Sequence, residues 1–424
     1  MKNSISKILI LIGGHLCTAP RPQKEAEAIA KTGYAVTVSG FWFDHELIDR
    51  DLLLIANKPY KFVPILDFQP AHRLTNLSIR TQSLLAKSIY RRLGIFSPGL
   101  LGYGASAMLK VARQAKADLT IVHSEGGLWV GNKLLDEGFQ VGVDFEDWFS
   151  EDLLLEARID RPIEQIKQFE QRLIQTCKYC ITTSHAMAEA MADTYNAPQP
   201  TVIHNSFPWS EREHLDRQIK DRQNLNIPSL HWFSQTIGPG RGLETLFQAL
   251  SLVNQPAEIH LRGNYSESAR QWLEPLIPEG WREQIFIHPT VPNAELLSRI
   301  AEHDIGLALE SSDIISRDLT ITNKFFQYLQ AGLAVIATDT TGQRDIFEKC
   351  PLIGQLIPSS NPVTLAQALN SLLSDSERLA TAKAAALIAA QTNLSWENQS
   401  QQLVNLVHTV IKTKKSSYPI THVS

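Results

Sequence analysis

Two cationic side chains in the second half of the chain stand where helices are predicted to begin, and Lys324 falls in the first turn of one of them. Arg241 lies in a loop just before another, between Gly240 and Gly242. The first N–H groups of a helix have no partner within it and carry partial positive charge, so they favour an anion. Two linked phosphates are costly to hold without a guanidinium or an ammonium group. The two segments therefore predict a site for a diphosphate.

The segment 320–339, TITNKFFQYLQAGLAVIATD, predicts the elements that position Lys324. We expect Thr322 to cap a helix with its hydroxyl and Gly332 to end it in a left-handed conformation. The apolar run that follows is typical of a parallel strand covered on both faces. Gln327 lies three residues after Lys324 and should share its face of the helix. For the loop around Arg241, a plain glycine-rich turn with a surface arginine remains the simpler interpretation.

Strand-like runs in the first half end in glycine or polar residues. The first is followed by Gly13 and Gly14, a later one ends at His123 with Glu125 close behind, and a third leads to Asp147. In a doubly wound sheet, ligands collect at the carboxyl ends of the strands, so these residues are predicted to line one crevice. Two simpler interpretations stay open. The glycines could form only a tight turn, and the polar residues could cap the helices that follow.

Length, charge and cysteine content limit the class of protein. The 424 residues suggest two domains, and a net charge of −4 gives no argument for a nucleic-acid partner. Cys177 and Cys180 form a lone C-x-x-C without a second pair, so we interpret them as buried structural residues and not as a metal or redox site. Four cysteines in so long a chain favour a reducing compartment. The apolar run after Lys7 is too short to span a membrane and is interpreted as the first strand.

The segment 320–339 resembles the donor-site helix of retaining glycosyltransferases of the GT-B type (glycosyl transferases group 1, family 4-like). That helix carries a Lys, an acidic residue a few positions later and a small pair ending in Gly before a strand. Gln327 stands where the family has the acidic residue that contacts the ribose, and Arg241 matches a basic residue that contacts the donor pyrophosphate. The run PRPQKEAEAIAKTGYAVTV resembles the opening of the same enzymes and includes Arg21, and His123 resembles their strand-end histidine.

The resemblance implies an α/β protein with two Rossmann-like doubly wound parallel-sheet domains that face each other across a cleft. An N-terminal acceptor domain is predicted at 1–206, a linker at 207–228 and a nucleotide-sugar domain at 229–394. A helix at 395–413 would cross back to the first domain, and a tail at 414–424 would be disordered. The predicted organisation covers nearly the whole chain.

The implied function is a hexosyltransferase-type glycosyltransferase that moves a sugar from a nucleotide-sugar to a glycan, lipid-linked or other hydroxyl acceptor with retention of configuration. Helix dipoles and cations would neutralise the leaving diphosphate, so neither a metal nor a cofactor is predicted. The expected donor-binding residues are Arg241, Lys324, Gln327, Gly240, Gly242 and Glu310; those expected at the acceptor are Gly13, Gly14, Arg21, Glu125 and Asp147; and the catalytic candidate is His123. The alternatives are a sugar-nucleotide epimerase or phosphorylase on the same fold, and a non-catalytic nucleotide-sugar-binding protein.

The segment 68–117 contains no acidic residue and eight basic ones, interleaved with aliphatic and aromatic side chains. Two helices broken at Ser97-Pro98-Gly99 fit its pattern. Such a surface can bind anionic lipid, whereas the simpler interpretation is a solvated helix pair beside the sheet. We therefore hold two hypotheses for location: a cytoplasmic protein, or one that is also peripheral at the inner face of the membrane.

Overall fold

The computed structural model describes residues 5–69, 73–159 and 161–416, which divide into two compact α/β units. Unit 1 comprises the chain up to Thr183, Ala188–Ile203 and the chain from Ser400 onward. Unit 2 comprises Ser184–Met187 and His204–Gln399. Most of the tail predicted at 414–424 lies outside the described residues. None of the described helices combines the length and the apolar composition needed to cross a bilayer.

Unit 1 is built on a parallel sheet whose strands alternate with helices. The strands are β1 (Lys7–Leu11), β2 (Ala35–Trp42), β3 (Lys61–Asp67), β4 (Leu119–Val122), β5 (Val141–Phe145), β6 (Tyr179–Thr182) and β7 (Thr201–Val202). The helices are α1 (Pro20–Lys31), α2 (His45–Ile55), α3 (Arg73–Leu93), α4 (Ala105–Ala115), α5 (Ser124–Asp136), α6 (Ile163–Thr176) and α7 (His185–Tyr195). Short 3₁₀ helices are formed by Leu16–Thr18, Pro98–Leu101, Phe149–Glu151 and Leu155–Arg158.

The strand order in unit 1 is β3-β2-β1-β4-β5-β6-β7, so the chain reverses its direction across the sheet between β1 and β4. Strands β4 and β5 are buried along their whole length, as expected of parallel strands covered on both faces, and β5 carries the buried carboxyl group of Asp144. In this fold type a ligand crevice opens at the carboxyl ends of the two strands flanking the reversal. The ends of β1 and β4 are joined there by a hydrogen bond from the His123 N–H to the Leu11 carbonyl, at 2.9 Å.

Unit 2 repeats the same plan. Its strands are β8 (Ser229–Thr236), β9 (Glu258–Asn264), β10 (Ile285–His288), β11 (Ile305–Ala308), β12 (Ala334–Thr338) and β13 (Gly354–Ile357). Its helices are α8 (Leu243–Leu250), α9 (Glu267–Leu273), α10 (Asn293–Ile300), α11 (Ile315–Leu319), α12 (Asn323–Ala331), α13 (Thr341–Lys349), α14 (Pro362–Leu373) and α15 (Ser376–Gln391). The long helix α16 (Trp396–Ser416) begins in unit 2 and belongs to unit 1 from Ser400 onward. Short 3₁₀ helices are formed by Trp209–His214, Glu274–Leu276, Glu279–Gln284 and Pro351–Ile353.

The strand order in unit 2 is β10-β9-β8-β11-β12-β13, again parallel, with the reversal between β8 and β11. All five residues of β12 are buried, and Gly332 ends α12 at φ 84°, as the segment around Lys324 predicted. The prediction of two doubly wound parallel sheets is therefore confirmed. The loop that precedes α8 leaves β8 at the reversal, which places it where a ligand crevice is expected.

Prolines and glycines lie inside two helices of unit 1. Helix α1 begins at Pro20, because a proline in the first turn lacks only an N–H that has no helical partner anyway. Gly126 and Gly127 lie inside α5 and not in a turn after His123. A Cβ on Gly127 would come within 3.2 Å of the Val122 Cβ, so the glycine allows this helix to approach its own strand closely.

The segment 207–228, predicted to be a linker, is part of unit 2 and is held in it by a buried arginine. The Arg222 Nε lies 3.0 Å from the Glu258 carboxylate, and its Nη1 lies 3.1 Å from the Asp304 carboxylate. The segment also contains the 3₁₀ helix Trp209–His214. The part of the segment around Arg222 is therefore held to the unit by specific ion pairs.

Four histidines of unit 2 pack together, three of them on the neighbouring strands β8, β9 and β10 and the fourth just before β11. The His231 ring stacks on His303 with centroids 4.5 Å apart, and His260 lies 4.5 Å from His303 and 5.2 Å from His288. Neither ring nitrogen of His231 has a hydrogen-bond partner among the described residues. Burial, followed by the charges of neighbouring cationic groups, lowers the pKa of His231 well below its ordinary value, and burial lowers that of His260 to about 2.

We expect unit 2 to lose stability as the pH falls below about 6.5, with His231 as one identifiable cause. The unfolded chain binds a proton at His231 near pH 6.5 while the folded chain does not, so stability decreases below that pH. By pH 5 this amounts to roughly 2 kcal/mol for one such histidine. Across the cluster Asp221 opposes the effect at His260, His288 and His303, while Arg262 adds to it at His231 and His288.

The measurement is the denaturant midpoint of the wild type and of His231→Phe between pH 5 and 8. The stability of the variant relative to the wild type should increase as the pH falls to 5, because only the wild type has His231 to lose stability by protonation. Packing effects of the larger ring do not depend on pH. His45→Gln, at a position where the side chain is 79% exposed, serves as the control and should leave the pH dependence unchanged. Parallel curves for His231→Phe and the wild type would contradict the assignment.

Candidate functional site

The loops after β8 and β11 touch each other at the reversal point of unit 2. Gly242 has φ +81°, and a Cβ built there would lie 2.3 Å from the Leu309 Cβ and 2.4 Å from the Leu309 carbonyl oxygen. Any other residue would therefore clash with backbone and be strained in this left-handed conformation. Gly242 therefore allows the first turn of α8 to lie directly beside Leu309, the residue that precedes Glu310.

Lys324, in the first turn of α12, is directed at this same point. Its Nζ lies 2.7 Å from the Glu310 carboxylate and 5.4 Å from the centroid of the Trp232 ring, close enough for a cation–π contact. The lysine side chain is 10% exposed and that of Glu310 is 14% exposed. The ammonium is thus held at the edge of the protein interior, where an approaching anion would interact with it strongly.

Arg241 stands beside this pair on the loop after β8. It is exposed, and its Nη1 donates to the Ser234 Oγ at 2.7 Å. The buried Trp232 Nε1–H donates to the Arg241 carbonyl at 3.3 Å, so a single tryptophan fixes the loop and contacts Lys324 as well. Sequence analysis missed Trp232, whose only local signal was its place in an apolar strand.

The charges of the two cations converge on Glu310. Burial would raise the pKa of Glu310, but Lys324 and then Arg241 hold it below its ordinary value. Two cations act on the Glu310 carboxylate, and the Glu244 carboxylate, bound to the Gly240 N–H, is a second acidic group beside them. The arrangement can accept an anion that bears two or more negative charges. The structure therefore brings together the three charged residues of the predicted donor site.

Three further donor-site predictions have mixed outcomes. Thr322 occupies the N-cap position of α12, but its hydroxyl contacts Glu310 at 3.4 Å and makes no capping bond, so that prediction was wrong. Gln327 is partly buried on α12, three residues after Lys324. The Gly240 N–H, which we expected to be available to a phosphate, donates to the Glu244 carboxylate at 2.9 Å. An anion would have to displace this acidic group to use the Gly240 amide.

In unit 1, the structure places Arg21 away from the role predicted for it. The side chain is 3% exposed, and its Nε lies 2.6 Å from the Asp144 carboxylate. The Nη1 also donates to the Ile203 carbonyl at 2.6 Å. Burial raises the pKa of Asp144 to about 6 even though Arg21 opposes the shift. With its nitrogens engaged in the interior, Arg21 joins strands of the sheet and does not face an acceptor.

His123 is the centre of the same buried cluster. Its Nε2 lies 2.8 Å from the Glu25 carboxylate and its Nδ1 lies 2.5 Å from that of Glu146. Burial would lower the pKa of His123, but the two carboxylates raise it well above the ordinary value, so the ring carries a proton on each nitrogen at neutral pH. The histidine is 2% exposed. In this arrangement both nitrogens are committed to carboxylates, and neither is presented to a substrate.

A cavity of about 330 Å³ opens beside the ends of β1 and β4. It is lined by Gly13, Phe41, Phe43, Leu101, Gly102, Tyr103, Gly104, Ala105, Met108, Ser124, Glu125, Gly126, Phe149 and Arg161. Glu125 pairs with Arg161, and burial raises the pKa of Glu125 despite this partner. The Gly14 carbonyl accepts from the Phe41 N–H at 3.0 Å, and Asp147 is partly buried after β5 without lining the cavity.

Two groups of described residues have side chains of the kind that bind metal ions. In both groups these side chains are hydrogen-bonded to other protein groups. One is Glu25, His123 and Asp144, already described. In the other, the His15 Nδ1 lies 2.9 Å from Asp51 while its Nε2 accepts from the Phe43 N–H at 2.8 Å, and the Cys17 N–H donates to Asp51 at 2.6 Å. These contacts organise the turn after β1. The cysteines Cys177 and Cys180 are buried and free, as expected.

Comparison with known proteins bears on these sites. Residues 229–375 match the model of the family described as glycosyl transferases group 1. The matched range includes β8, the Arg241 loop, Glu310 and the Lys324 helix. A search of the curated proteins finds no match to the sequence.

Solved structures similar to the chain share its whole architecture at low sequence identity. Sucrose-phosphate synthase from Thermosynechococcus elongatus matches with a TM-score of 0.67 and 16% identity over 96% of this chain and 100% of that one. The Anabaena protein HepE in complex with UDP and glucose matches with a TM-score of 0.68 and 16% identity, covering 95% and 100%. A putative UDP-N-acetylglucosamine 2-epimerase from Listeria monocytogenes matches with a TM-score of 0.59 and 13% identity, covering 98% of each chain. The fold is thus GT-B, and it also occurs in a protein described as an epimerase.

Proposed function

We propose that the protein transfers a sugar from a nucleotide-sugar to a hydroxyl acceptor, because residues 229–375 match the model of the glycosyl transferases group 1 family and the chain has a GT-B fold. One observation carries the proposal. Lys324, in the first turn of α12, lies 2.7 Å from the Glu310 carboxylate, and the charge of Arg241, in the loop after β8, acts on the same carboxylate at the reversal point of the second sheet. This is where the leaving diphosphate of a nucleotide-sugar would need positive charge.

In the proposed complex, Lys324 and Arg241 bind the diphosphate and stabilise the charge that develops as the sugar leaves. Glu310 keeps the ammonium in place before the donor arrives. Gln327 offers an amide to a ribose hydroxyl. Gly242 holds the loop against Leu309, and the bare backbone at Gly240, where a Cβ would meet nothing within 4 Å, lets the phosphates approach once they displace Glu244. Unit 1 binds the acceptor, and its proposed contacts are Gly13, Glu125 and the aromatic side chains of the cavity. We assign His123 a positioning role through Glu25 and Glu146.

The leaving-group charge in this proposal is offset by protein cations, so turnover should persist in excess EDTA. We propose that the anomeric configuration is retained, as in the family that the sequence resembles. The configuration of the product, read from the anomeric proton coupling in an NMR spectrum, tests this directly. Turnover that is abolished by EDTA and restored by Mg²⁺ or Mn²⁺ would contradict the assignment of Lys324 and Arg241 as sufficient counter-charge.

The first experiment is a thermal-shift screen of nucleotide-sugars, with UDP-glucose among the probes because HepE was solved with UDP and glucose. A ligand at 100 times its dissociation constant stabilises the folded state by about 2.7 kcal/mol and raises the melting point. We expect one nucleotide-sugar to do so in the wild type and to lose the effect in Lys324→Ala. No shift with any nucleotide-sugar would contradict the proposal.

The alternatives give different products from the same bound donor. An epimerase would interconvert nucleotide-sugars without an acceptor, a phosphorylase would release a sugar phosphate, and a binding protein would shift its melting point without chemistry. The replacement of the family's acidic residue by Gln327 favours the last of these as the competing candidate. Release of nucleoside diphosphate only in the presence of an acceptor separates transfer from all three. We propose a cytoplasmic setting for the reaction, since none of the described cysteines, Cys17, Cys177, Cys180 and Cys350, forms a disulfide.

A further inference from the structure

Helix α3 (Arg73–Leu93) presents large apolar side chains to solvent. Leu77, Leu84 and Leu85 are 64%, 68% and 60% exposed, whereas Ser83 and Ala86 on the opposite side are buried. Leu77 and Leu84 are seven residues apart and therefore lie on one stripe along the helix. Burying a leucine side chain is worth about 1.5–3 kcal/mol, so leaving this stripe in water forgoes a large stabilisation. The stripe has the composition of a binding surface.

Basic side chains flank this apolar stripe. Arg80 and Lys87 are exposed along one side of it, and Arg92 is exposed on the other. The helix carries no acidic residue, and none occurs from Phe68 to Ala117. A row of leucines between cations fits the boundary between the acyl chains and the headgroups of an anionic bilayer. The leucines can enter the acyl region while the cations bind the anionic headgroups.

The same helix is connected to the cavity of unit 1. The Ser83 Oγ donates to the Gly99 carbonyl at 3.0 Å, which fixes the 3₁₀ helix whose Leu101 lines the cavity. The Tyr90 hydroxyl donates to the carbonyl of Arg161, another lining residue, at 3.2 Å. The cavity wall is largely aromatic and aliphatic. A molecule anchored in a bilayer under α3 would have its head group next to this cavity.

We propose that the exposed face of α3, made of Leu77, Leu84 and Leu85 with Arg80, Lys87 and Arg92, docks unit 1 on an anionic lipid bilayer. The docking follows from the surface itself and does not depend on the chemistry in unit 2. Its consequence for catalysis rests on the proposed function: the acceptor is a membrane-resident alcohol whose lipid tail stays in the bilayer while its polar end enters the cavity.

Co-sedimentation with vesicles tests the docking. The full chain should bind vesicles of phosphatidylcholine with 30 mol% phosphatidylglycerol at 50 mM salt, bind far less at 500 mM salt, and not bind pure phosphatidylcholine. Each basic side chain near an anionic surface strengthens binding about fivefold, so Arg80→Gln/Lys87→Gln/Arg92→Gln should weaken it roughly a hundredfold. Leu77→Ser/Leu84→Ser should weaken binding at both salt concentrations, because its contribution is not electrostatic.

Matched controls use side chains of the same kind elsewhere on unit 1. Lys31→Gln/Lys133→Gln/Lys178→Gln removes three exposed cations, and Leu52→Ser/Leu53→Ser removes two exposed leucines from α2. Both should leave vesicle binding unchanged. Equal losses in the control and α3 variants would overturn the proposal, as would no binding to anionic vesicles at 50 mM salt. A wild-type dimer that Leu77→Ser/Leu84→Ser converts to a monomer, without vesicle binding, would show that a second copy covers this face instead.

The outcome is separable from that of the proposed function. Nucleotide-sugar binding by the α3 variants should equal that of the wild type, because α3 belongs to unit 1 and the donor residues belong to unit 2. Vesicle binding with no transfer would overturn the function and leave the docking intact. For the acceptor, extracted lipids presented in vesicles should support transfer by the wild type and at least tenfold less by Leu77→Ser/Leu84→Ser; equal transfer by both would overturn the acceptor inference.

Discussion

Replacing Lys324 by Ala should slow sugar transfer roughly 30- to 1000-fold, which corresponds to about 2–4 kcal/mol of lost transition-state stabilisation. The ammonium sits 2.7 Å from Glu310 in a site that is only 10–14% exposed, so water screens it poorly. Negative charge grows on the diphosphate as the glycosidic bond breaks, and a positioned cation stabilises that state more than the ground state. The loss should therefore appear in kcat, measured as release of nucleoside diphosphate.

Arg241→Ala should have a similar but smaller effect, because this side chain is exposed and its charge is better screened. Arg241→Lys should recover part of the activity, since it keeps the charge but loses the fork that can bind two phosphate oxygens. The double variant should lose less than the product of the single losses if both cations act on one leaving group. Strictly multiplicative losses would indicate that the two side chains serve separate steps.

Controls must separate chemistry from folding. Lys324→Ala leaves the Glu310 carboxylate without its main partner, so Lys324→Met/Glu310→Gln provides a variant with neither charge and should melt close to the wild type. Lys383→Ala removes another partly exposed lysine of unit 2, paired with Asp304 at 2.6 Å, and should leave kcat unchanged. If Lys324→Ala folds and turns over at the wild-type rate, the diphosphate assignment is wrong.

The donor residues could be predicted from sequence because every signal involved is local. A glycine loop, a cation in the first turn of a helix and a buried strand are each read within about ten residues, and the parallel-sheet rule then brings them to one edge. Glu310, at the end of its strand, follows from the same rule. What the sequence could not supply is the contact between the loops, since it depends on Gly242 meeting Leu309, more than sixty positions away in the chain.

The acceptor residues were harder to predict because their environment is set by distant partners. Arg21 lies in the helix that follows β1, and His123 comes directly after β4. From their positions in the sequence, both would be expected at the crevice. The structure instead pairs Arg21 with Asp144, and His123 with Glu25 and Glu146, and buries the whole group. Position relative to a strand end predicts which edge of the sheet a residue occupies. It does not predict whether the side chain turns toward solvent or toward a carboxylate in the core.

Replacing Arg21 by Met should lower the free energy of unfolding by about 3–5 kcal/mol at pH 7. The variant keeps Asp144 in the interior without the guanidinium that lies 2.6 Å from it, and it also leaves the Ile203 carbonyl without its donor. The part of this loss that comes from the uncompensated Asp144 charge has an upper limit, because the carboxyl group can take up a proton instead of remaining charged. Since the pKa of Asp144 is already about 6 in the wild type, protonating it at pH 7 costs about 1.4 kcal/mol, and the lost carbonyl contact and packing supply the rest.

This limit gives the prediction a pH dependence with a definite sign. Burial already raises the pKa of Asp144 to about 6, and loss of Arg21 removes the opposing charge and raises it further. The folded variant then binds a proton that the unfolded chain releases above pH 4, so its stability should fall as the pH rises from 4 to 7. Because the wild-type carboxyl, with a pKa of about 6, is itself mostly protonated at pH 5, the charge-dependent part of the deficit should be small at pH 5 and should grow by about 1.4 kcal/mol per pH unit above pH 6.

The double variant Arg21→Met/Asp144→Asn separates a buried charge from a lost contact. If the uncompensated carboxylate causes the instability, the added substitution should recover much of the loss at pH 7 and abolish the extra pH dependence. Arg113→Met removes an exposed arginine that pairs with Glu137 and should change stability little at any pH. An Arg21→Met deficit that is equally large at pH 5 and pH 7 would mean that packing and the carbonyl contacts, and not the Asp144 charge, are what Arg21 contributes to unit 1.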